Sequence, residues 1–208
     1  MPDIIHIDRN TERHIVLMNP DSADLLIEQE AGSRLRLHII VTEKEHSDNT
    51  IRVEHCGEGA ETELLGLVIG KNKDDISIHT IVNHNVGKGK SNQLFKYVLS
   101  GEAKASFEGE LVVKPDAQQT DAYQTNRNLL LSEKARMRTQ PQLEIYADDV
   151  HCSHGASTGQ LDENALFYMQ QRGISLESAK NMLVEAFCKE ILDTLPEKTD
   201  LQLGINNQ

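Results

Sequence analysis

The 208-residue sequence has no tryptophan, and its aromatic fraction is only 4%. Without rings to fill a broad interior, a core must be assembled from Leu, Ile, Val and Ala, which suits narrow β-structures of stacked small layers. Basic charge is scarce as well: 21 Lys and Arg stand against 33 Asp and Glu, a formal charge of -12. Such a surface repels phosphate backbones and acidic lipid, so the sequence predicts neither nucleic-acid nor membrane binding. Apolar runs such as Leu64 to Gly70 are far too short to span a bilayer. The opening MPDIIHIDRN carries no basic region followed by an apolar stretch, so nothing there reads as a secretory signal. Cys56, Cys152 and Cys188 are odd in number and widely spaced, no disulfide framework, and a cytoplasmic location is expected.

Catalytic signatures are missing too. There is no G-x-S-x-G elbow, phosphate-binding loop or dinucleotide fingerprint. Gly87-Lys88-Gly89-Lys90-Ser91 has a phosphate loop's residue types without its spacing or following helix, and reads as a turn. A stand-alone β-helix polysaccharide lyase is the alternative enzyme reading. It would need clustered carboxylates, a basic proton acceptor and aromatic sugar platforms, and the ring-poor composition speaks against it.

Alternation dominates what is present. Leu35, Leu37 and Ile39, then Ile76, Ile78 and Thr80, then Ala105, Phe107 and Gly109, then Leu143, Ile145 and Ala147 each recur at every second position. This is the period of strands with one buried face. Turn-forming stretches separate them: Glu58-Gly59, Lys71-Asn72-Lys73-Asp74, Gly87-Lys88-Gly89, Lys114-Pro115-Asp116 and Gln140-Pro141. A faint repeat places Glu30-Ala31-Gly32-Ser33 before Leu35 and Glu58-Gly59-Ala60-Glu61 before Leu64, while Ala103, Ala117 and Ala135 open further bursts. Gln119, Gln124, Asn126 and Asn128 are placed to form hydrogen-bonded ladders between coils. A parallel β-helix accounts for these features; periodicity alone also allows a jelly roll or sandwich.

After residue 159 the pattern becomes helical. Asp162 caps a first helix carrying Leu166, Phe167 and Met169, and Gly173 stands where a helix end wants a left-handed residue. Ser175 caps a second, with Glu177 in its first turn and a stripe of Ala179, Met182, Leu183, Ala186, Phe187 and Ile191. The expected organisation is a β-core over 1–159, a two-helix segment over 160–196 and a polar tail over 197–208. The stripe is expected to cap the end of the β-core, or in part to dock a partner.

Cys152 and His154 lie two apart in a stretch, 145–154, that reads as a strand, so thiolate and imidazole share a face and can approach one metal ion. Asp148 and Asp149 add carboxylates, and His151 falls on the opposite face. His38, His55, His79 and His84 have no metal-site spacing and are assigned to sheet edges or ladders; Cys56 reads as structural and Cys188 as half-buried packing.

The segment PQLEIYADDVHCSHGASTGQLDENALFYMQQRGIS, Pro141 to Ser175, resembles the signature region of the SufB/SufD family, and D-D-V-x-C-S-H-G-A resembles SufD more than SufB. SNQLFKYVLSGEAKASFEGELVV and AQQTDAYQTNRNLLLS resemble its β-helix coils. The resemblance implies a mainly β fold: a right-handed parallel β-helix followed by a small C-terminal helical segment. It implies a non-enzymatic SufD-like scaffold in iron–sulfur cluster assembly, paired with a SufB-like subunit and a SufC-like ATPase that hydrolyses ATP, or a homodimer when isolated. By resemblance, Cys152 and His154 hold iron or a nascent cluster transiently at the SufB interface, with none stably bound to this chain alone. Leu166, Phe167, Arg172, Gly173, Ile174, Leu183 and Phe187 are the implied SufC-docking residues. Family members carry a helical N-terminal region and more coils than this sequence shows. The ending LPEKTDLQLGINNQ also departs from the family's basic helical tail, a departure that would weaken docking.

Overall fold

A computed structural model describes residues 1–42 and 44–196; the polar tail expected at 197–208 lies outside the described residues. Among the described residues, twelve strands alternate between two parallel six-stranded sheets, a β-solenoid of about five turns. One sheet contains β1 (Asp3–Ile7), β3 (Ser22–Gln29), β5 (His46–His55), β7 (Asp75–His84), β9 (Lys104–Val113) and β11 (Arg136–Ile145). The other contains β2 (Glu12–Met18), β4 (Arg34–Val41), β6 (Glu61–Gly70), β8 (Lys90–Leu99), β10 (Thr120–Leu130) and β12 (Val150–Gly159). Two helices follow, α1 (Glu163–Gln171) and α2 (Leu176–Leu192).

The alternation in the sequence is what closes this lumen. Leu35, Leu37 and Ile39 of β4 point inward to Ile51 and Val53 of β5 and to Ile76 and Ile78 of β7, while charged neighbours point out. Phe95 and Phe107 provide the only close pairing of phenylalanine rings among the described residues, with centroids 4.5 Å apart, and Gly66 leaves the space that Phe95 fills. Ala60, Ala103, Ala117 and Ala135 are buried at corners, where a larger side chain would push the chain outward.

Two expectations about local structure need correction. Gln140-Pro141 is not a turn: both residues lie within β11, where Pro141 pairs with Gly109. The strand tolerates proline because it is the sheet's edge and pairs on one side only. The strand expected over 145–154 is shifted along the chain. β11 ends at Ile145, and β12 runs unbroken from Val150 to Gly159 in register with β10.

Both helix starts are capped as the sequence predicts. Asp162 accepts from the Asn164 N–H and Ser175 from the Ser178 N–H, and Gly173 has φ +82°. The helix pair does not cap the solenoid's end, however. α2 lies on the outer face of the even-numbered sheet, where Val184, Cys188 and Ile191 pack on Ile40, Leu65, Leu67, Ile69, Leu94, Val98 and Leu129. The run Leu64 to Gly70 is continuous because β6 is buried on both faces. The stripe is accordingly rotated from the expected one: Ala179, Val184, Cys188 and Ile191 are buried, whereas Met182 and Ala186 are exposed. Cys188 is fully buried, and desolvation pushes its thiol up to about 12.

Lys96 fastens α2 at its middle. Its ammonium donates to the Phe187 carbonyl at 2.7 Å, meets the Glu190 carboxylate at 2.6 Å and sits 4.8 Å from the Phe187 ring centre. Arg127 approaches the same carboxylate at 3.3 Å. The Lys96 hydrogen bond, then its charge, holds the Glu190 carboxyl below the usual carboxylate range. Because Glu190 is half exposed, it can return to water if Lys96 is lost. The aliphatic stem is therefore expected to matter more than the charge. Lys96→Ala should cost about 2–3 kcal/mol through the void it leaves, and Lys96→Met less than about 1 kcal/mol. Urea unfolding of both variants checks this; equal losses would assign the effect to the charge.

The C-terminal end of α2 is held by a relay. Thr194 Oγ1 donates to the Ile191 carbonyl at 2.6 Å and accepts from His38 Nε2 at 2.8 Å, and His38 Nδ1 meets His14 Nε2 at 2.9 Å. Burial, then His14 and Arg36, lowers His38 to about 4. The histidine assigned by sequence to a sheet edge or ladder is therefore a neutral anchor for the helix.

Candidate functional site

The even-numbered sheet ends at β12, which pairs only with β10, and the opposite sheet ends at β11, which pairs only with β9. Among the described residues the lumen is thus open at this end, and no further coil covers its last layer of inward-facing residues. Register determines which residues these are. Cys152 stacks on Ala122, His154 on Gln124, Ala156 on Asn126 and Thr158 on Asn128. Thr158 Oγ1 accepts from Asn128 Nδ2 at 3.1 Å, which marks the even positions of β12 as the lumen side.

Cys152 is half-buried against Leu111, Val113, Ala117, Ala122 and Ala147. Desolvation raises its thiol, the nearby Asp121 carboxylate adds to the rise, and a backbone hydrogen bond at Ala122 opposes it. At neutral pH the free side chain is a thiol, and a metal must displace its proton to bind the sulfur. His154 is exposed, and among the described residues it has no hydrogen bond or ion pair. The pair therefore offers one soft and one borderline donor on one face of an uncovered strand, a combination suited to iron, copper or zinc rather than calcium or magnesium.

His151 faces outward, as its parity predicts, and has an evident structural task. It meets the Asp121 carboxylate at 3.1 Å and ends a row of alternating charge across the coils. That row runs Glu12, Arg34, Glu61, Lys90, Asp121 and His151 in register. Asp148 and Asp149 lie in the corner before β12, where Asp149 is bound through its backbone to Gln118 and Gln119. Among the described residues no group of three or more His, Cys, Asp or Glu side chains converges, so the carboxylates do not complete a site with Cys152 and His154.

The expected docking residues divide. Phe167 is 63% exposed beside an equally accessible Tyr168, and Arg172 lies 4.7 Å from the Tyr168 ring centre, an uncovered aromatic–cation surface. Gly173 provides the left-handed joint between helices, and Leu166 and Ile174 are half-buried there. Leu183 is half-buried, and Phe187 is committed to the sheet face and Lys96.

Of the edge or ladder positions expected for the histidines, His55 and His84 take the ladder one, inside the lumen. His55 and His84 are buried side by side, with ring centres 4.4 Å apart. His55 Nε2 donates to Thr62 Oγ1 at 2.8 Å, since the Thr62 hydroxyl hydrogen goes to Gln29; His84 Nε2 meets Ser91 Oγ at 2.8 Å. The predicted ladders form only in part. Asn126 and Asn128 are bonded to each other and to neighbouring coils, Gln119 is a turn residue with φ +60°, and the Gln124 side chain has no hydrogen-bond partner among the described residues. Register was the available signal: His55 and His84 occupy equivalent positions on consecutive coils, as do Thr62 and Ser91.

The described residues thus form a parallel solenoid with a thiol–imidazole pair on its last strand and a helix packed on its flank. Comparison with known proteins gives the family. The family model described as SUF system FeS cluster assembly, SufBD core domain, matches residues 21–187. The chain is 36% identical over 198 residues to an iron–sulfur cluster assembly SufBD family protein of Synechocystis, covering 92% of this chain and 44% of that protein. It is 38% identical over 142 residues to the iron–sulfur cluster assembly protein SufD of Escherichia coli, covering 68% of this chain and 34% of that protein. A SufBD family protein of Mycobacterium leprae is 34% identical over 151 residues, or 69% of this chain and 38% of that protein. The chain belongs to the SufBD family of the SUF iron–sulfur cluster assembly system, and it spans less than half the length of these relatives.

Proposed function

We propose that this chain is a SufD-type scaffold subunit, not itself an enzyme, which acts with a SufB-like subunit and a SufC-like ATPase. The observation that carries this reading is the placement of Cys152 and His154 together on the lumen face of an uncovered terminal strand. An edge strand of ten residues presents a row of unpaired backbone groups that a second solenoid can continue. Pairing there would cover the thiol and imidazole with a partner's ligands. Two donors alone do not enclose an iron–sulfur cluster, which takes four. Iron or the nascent cluster is on this reading a transient cargo shared with SufB, and a cytoplasmic location follows from such partners. No helix among the described residues is long and apolar enough to cross a membrane.

The exposed Phe167, Tyr168 and Arg172 surface of α1 is the proposed ATPase-docking face. Nucleotide hydrolysis there would be transmitted through α2, whose carbonyl and carboxylate are held by Lys96, to the sheet that ends in β12.

The test is the initial rate of cluster assembly in a complex reconstituted with SufB-like and SufC-like subunits. His154→Ala is expected to slow it by about tenfold or more, the usual loss when a metal-site contact is removed. His151→Ala, which removes only an outward ion pair, should leave the rate within about twofold. Equal effects would refute the assignment by face. Failure to co-purify with either subunit, with self-association instead, would replace the heteromeric reading with a homomeric scaffold.

A further inference from the structure

Gln124 stands directly beneath His154, one coil below on the same lumen-facing row, and beside Ala122, on which Cys152 stacks. It is 2% exposed, and neither its amide oxygen nor its amide nitrogen has a hydrogen-bond partner. Its neighbours are each bonded through one end of the amide at least, although Gln93 Nε2 and Asn128 Oδ1 are idle as well. Asn126 accepts from Thr139 and Asn128 and donates to the Phe95 carbonyl, and Gln93 accepts from the Thr80 hydroxyl. A buried amide with both ends idle is rare in a folded protein, because each unmet group forgoes the water it left. The opposite wall also makes room for it: a Cβ at Gly109 would lie 2.0 Å from Gln124 Nε2. Two separate features, an unpartnered amide and a glycine that leaves space for it, thus meet under the thiol–imidazole pair.

We propose that Gln124 is a third working residue of this site. Its amide oxygen accepts the ring N–H of His154, fixing the tautomer and leaving the other ring nitrogen free for metal. Its amide N–H donates to the anionic sulfur of the cargo, whether Cys152 thiolate or sulfide. Adjacent strands lie about 4.8 Å apart, so amide and imidazole on paired positions are within reach of each other through side-chain rotation. Each idle atom of Gln124 then has a partner when the site is loaded. The assignment rests on reading Cys152 and His154 as the binding pair, and makes Gln124 a positioning residue for it.

The test uses the full chain and two readouts. In the protein loaded with Zn(II), the ring ¹⁵N shifts of His154 should report metal on mainly one ring nitrogen in the wild type and on a mixture of both in Gln124→Leu, with His151 unchanged as the internal reference. In a titration with Co(II) alone, Gln124→Leu should bind about tenfold more weakly than wild type. Its thermal midpoint should be equal or higher, because leucine fills the space without idle polar atoms. Unaltered His154 shifts, or wild-type Co(II) affinity in Gln124→Leu beside a loss in His154→Ala, would overturn the role of Gln124 and leave the Cys152–His154 pair standing. Unchanged affinity in Gln124→Leu, His154→Ala and Cys152→Ser together would overturn both.

Discussion

Lowering the pH from 7 to 4 is expected to unfold this protein cooperatively, with His55 and His84 as the main cause. Burial pushes His84 down to about 4, and burial together with His84 pushes His55 well below the usual histidine range. Both Nδ1 atoms are buried without a partner, and both are aimed at Gly89, where a Cβ would lie 2.8 and 2.6 Å from them. A proton on either nitrogen would find no acceptor, and the two rings would carry charge only 4.4 Å apart. In the unfolded chain nothing prevents protonation near the ordinary value of about 6.5. Because the folded values lie below the unfolded one, their contribution to stability is complete above pH 6.5. It is lost as pH falls towards the folded value of each ring.

One pKa unit corresponds to about 1.4 kcal/mol, so His84 alone removes about 3 kcal/mol by pH 4, and His55 adds to this in the same direction. Against a typical stability of about 5–15 kcal/mol, the pair is decisive. The formal charge of -12 acts in the other direction, since acid relieves repulsion among carboxylates. Those groups are mostly exposed and screened at moderate salt, whereas the histidines are not. Urea unfolding at pH 7, 6 and 5 in 0.15 M salt should show stability falling with a slope that exceeds one proton and approaches three, because His38, also lowered to about 4, adds to the pair. A flat profile would overturn the argument. His84→Gln, which keeps a donor for Ser91 but cannot titrate, should lower stability at pH 7 and reduce the slope by about one proton.

The same rings show why the sequence was legible in some places and not in others. Alternation in β4, β7 and β9 needs only neighbours along one strand, so it could be read directly, as could the caps at Asp162 and Ser175. The environment of His55 depends on which residue of the next coil lies above it. A slip of one position would turn the ring to solvent. Pro141 was read as a turn because proline usually ends strands, and the edge position that excuses it is a property of the whole sheet. α2 carries apolar residues on more than one face, and only the flat patch formed by Leu65, Leu67, Leu94 and Val98 selects the one that is buried. At the site, the shared face of Cys152 and His154 was a matter of parity and could be read. The idle amide of Gln124 was not, because it depends on Gly109 across the lumen.

Gly57→Ala is expected to be the most damaging conservative substitution at a corner of the solenoid. A Cβ at Gly57 would lie 2.0 Å from the backbone nitrogen of Ala31 and 2.5 Å from its Cα. No side chain stands in the way that could turn aside; the obstacle is the corner of the preceding coil. That corner is held in place by its own bonds, since Gly57 and Cys56 both donate to the Gln29 carbonyl, and Gly32 donates to the Glu58 carbonyl. Accommodating one methyl group therefore means separating two coils whose strands are hydrogen-bonded on both sides of the corner. Overpacking of a yielding core costs about 1–3 kcal/mol, and a clash against fixed backbone should exceed this, reaching about 4 kcal/mol. For a chain of this size that is a fall in thermal midpoint of about 8–16 °C. Gly59 in the same turn provides the control. Its surroundings are open, and only φ +71° opposes a side chain, so Gly59→Ala should cost about 1 kcal/mol. Similar losses at both positions would mean that backbone conformation, not the close approach of successive coils, sets the demand for glycine here.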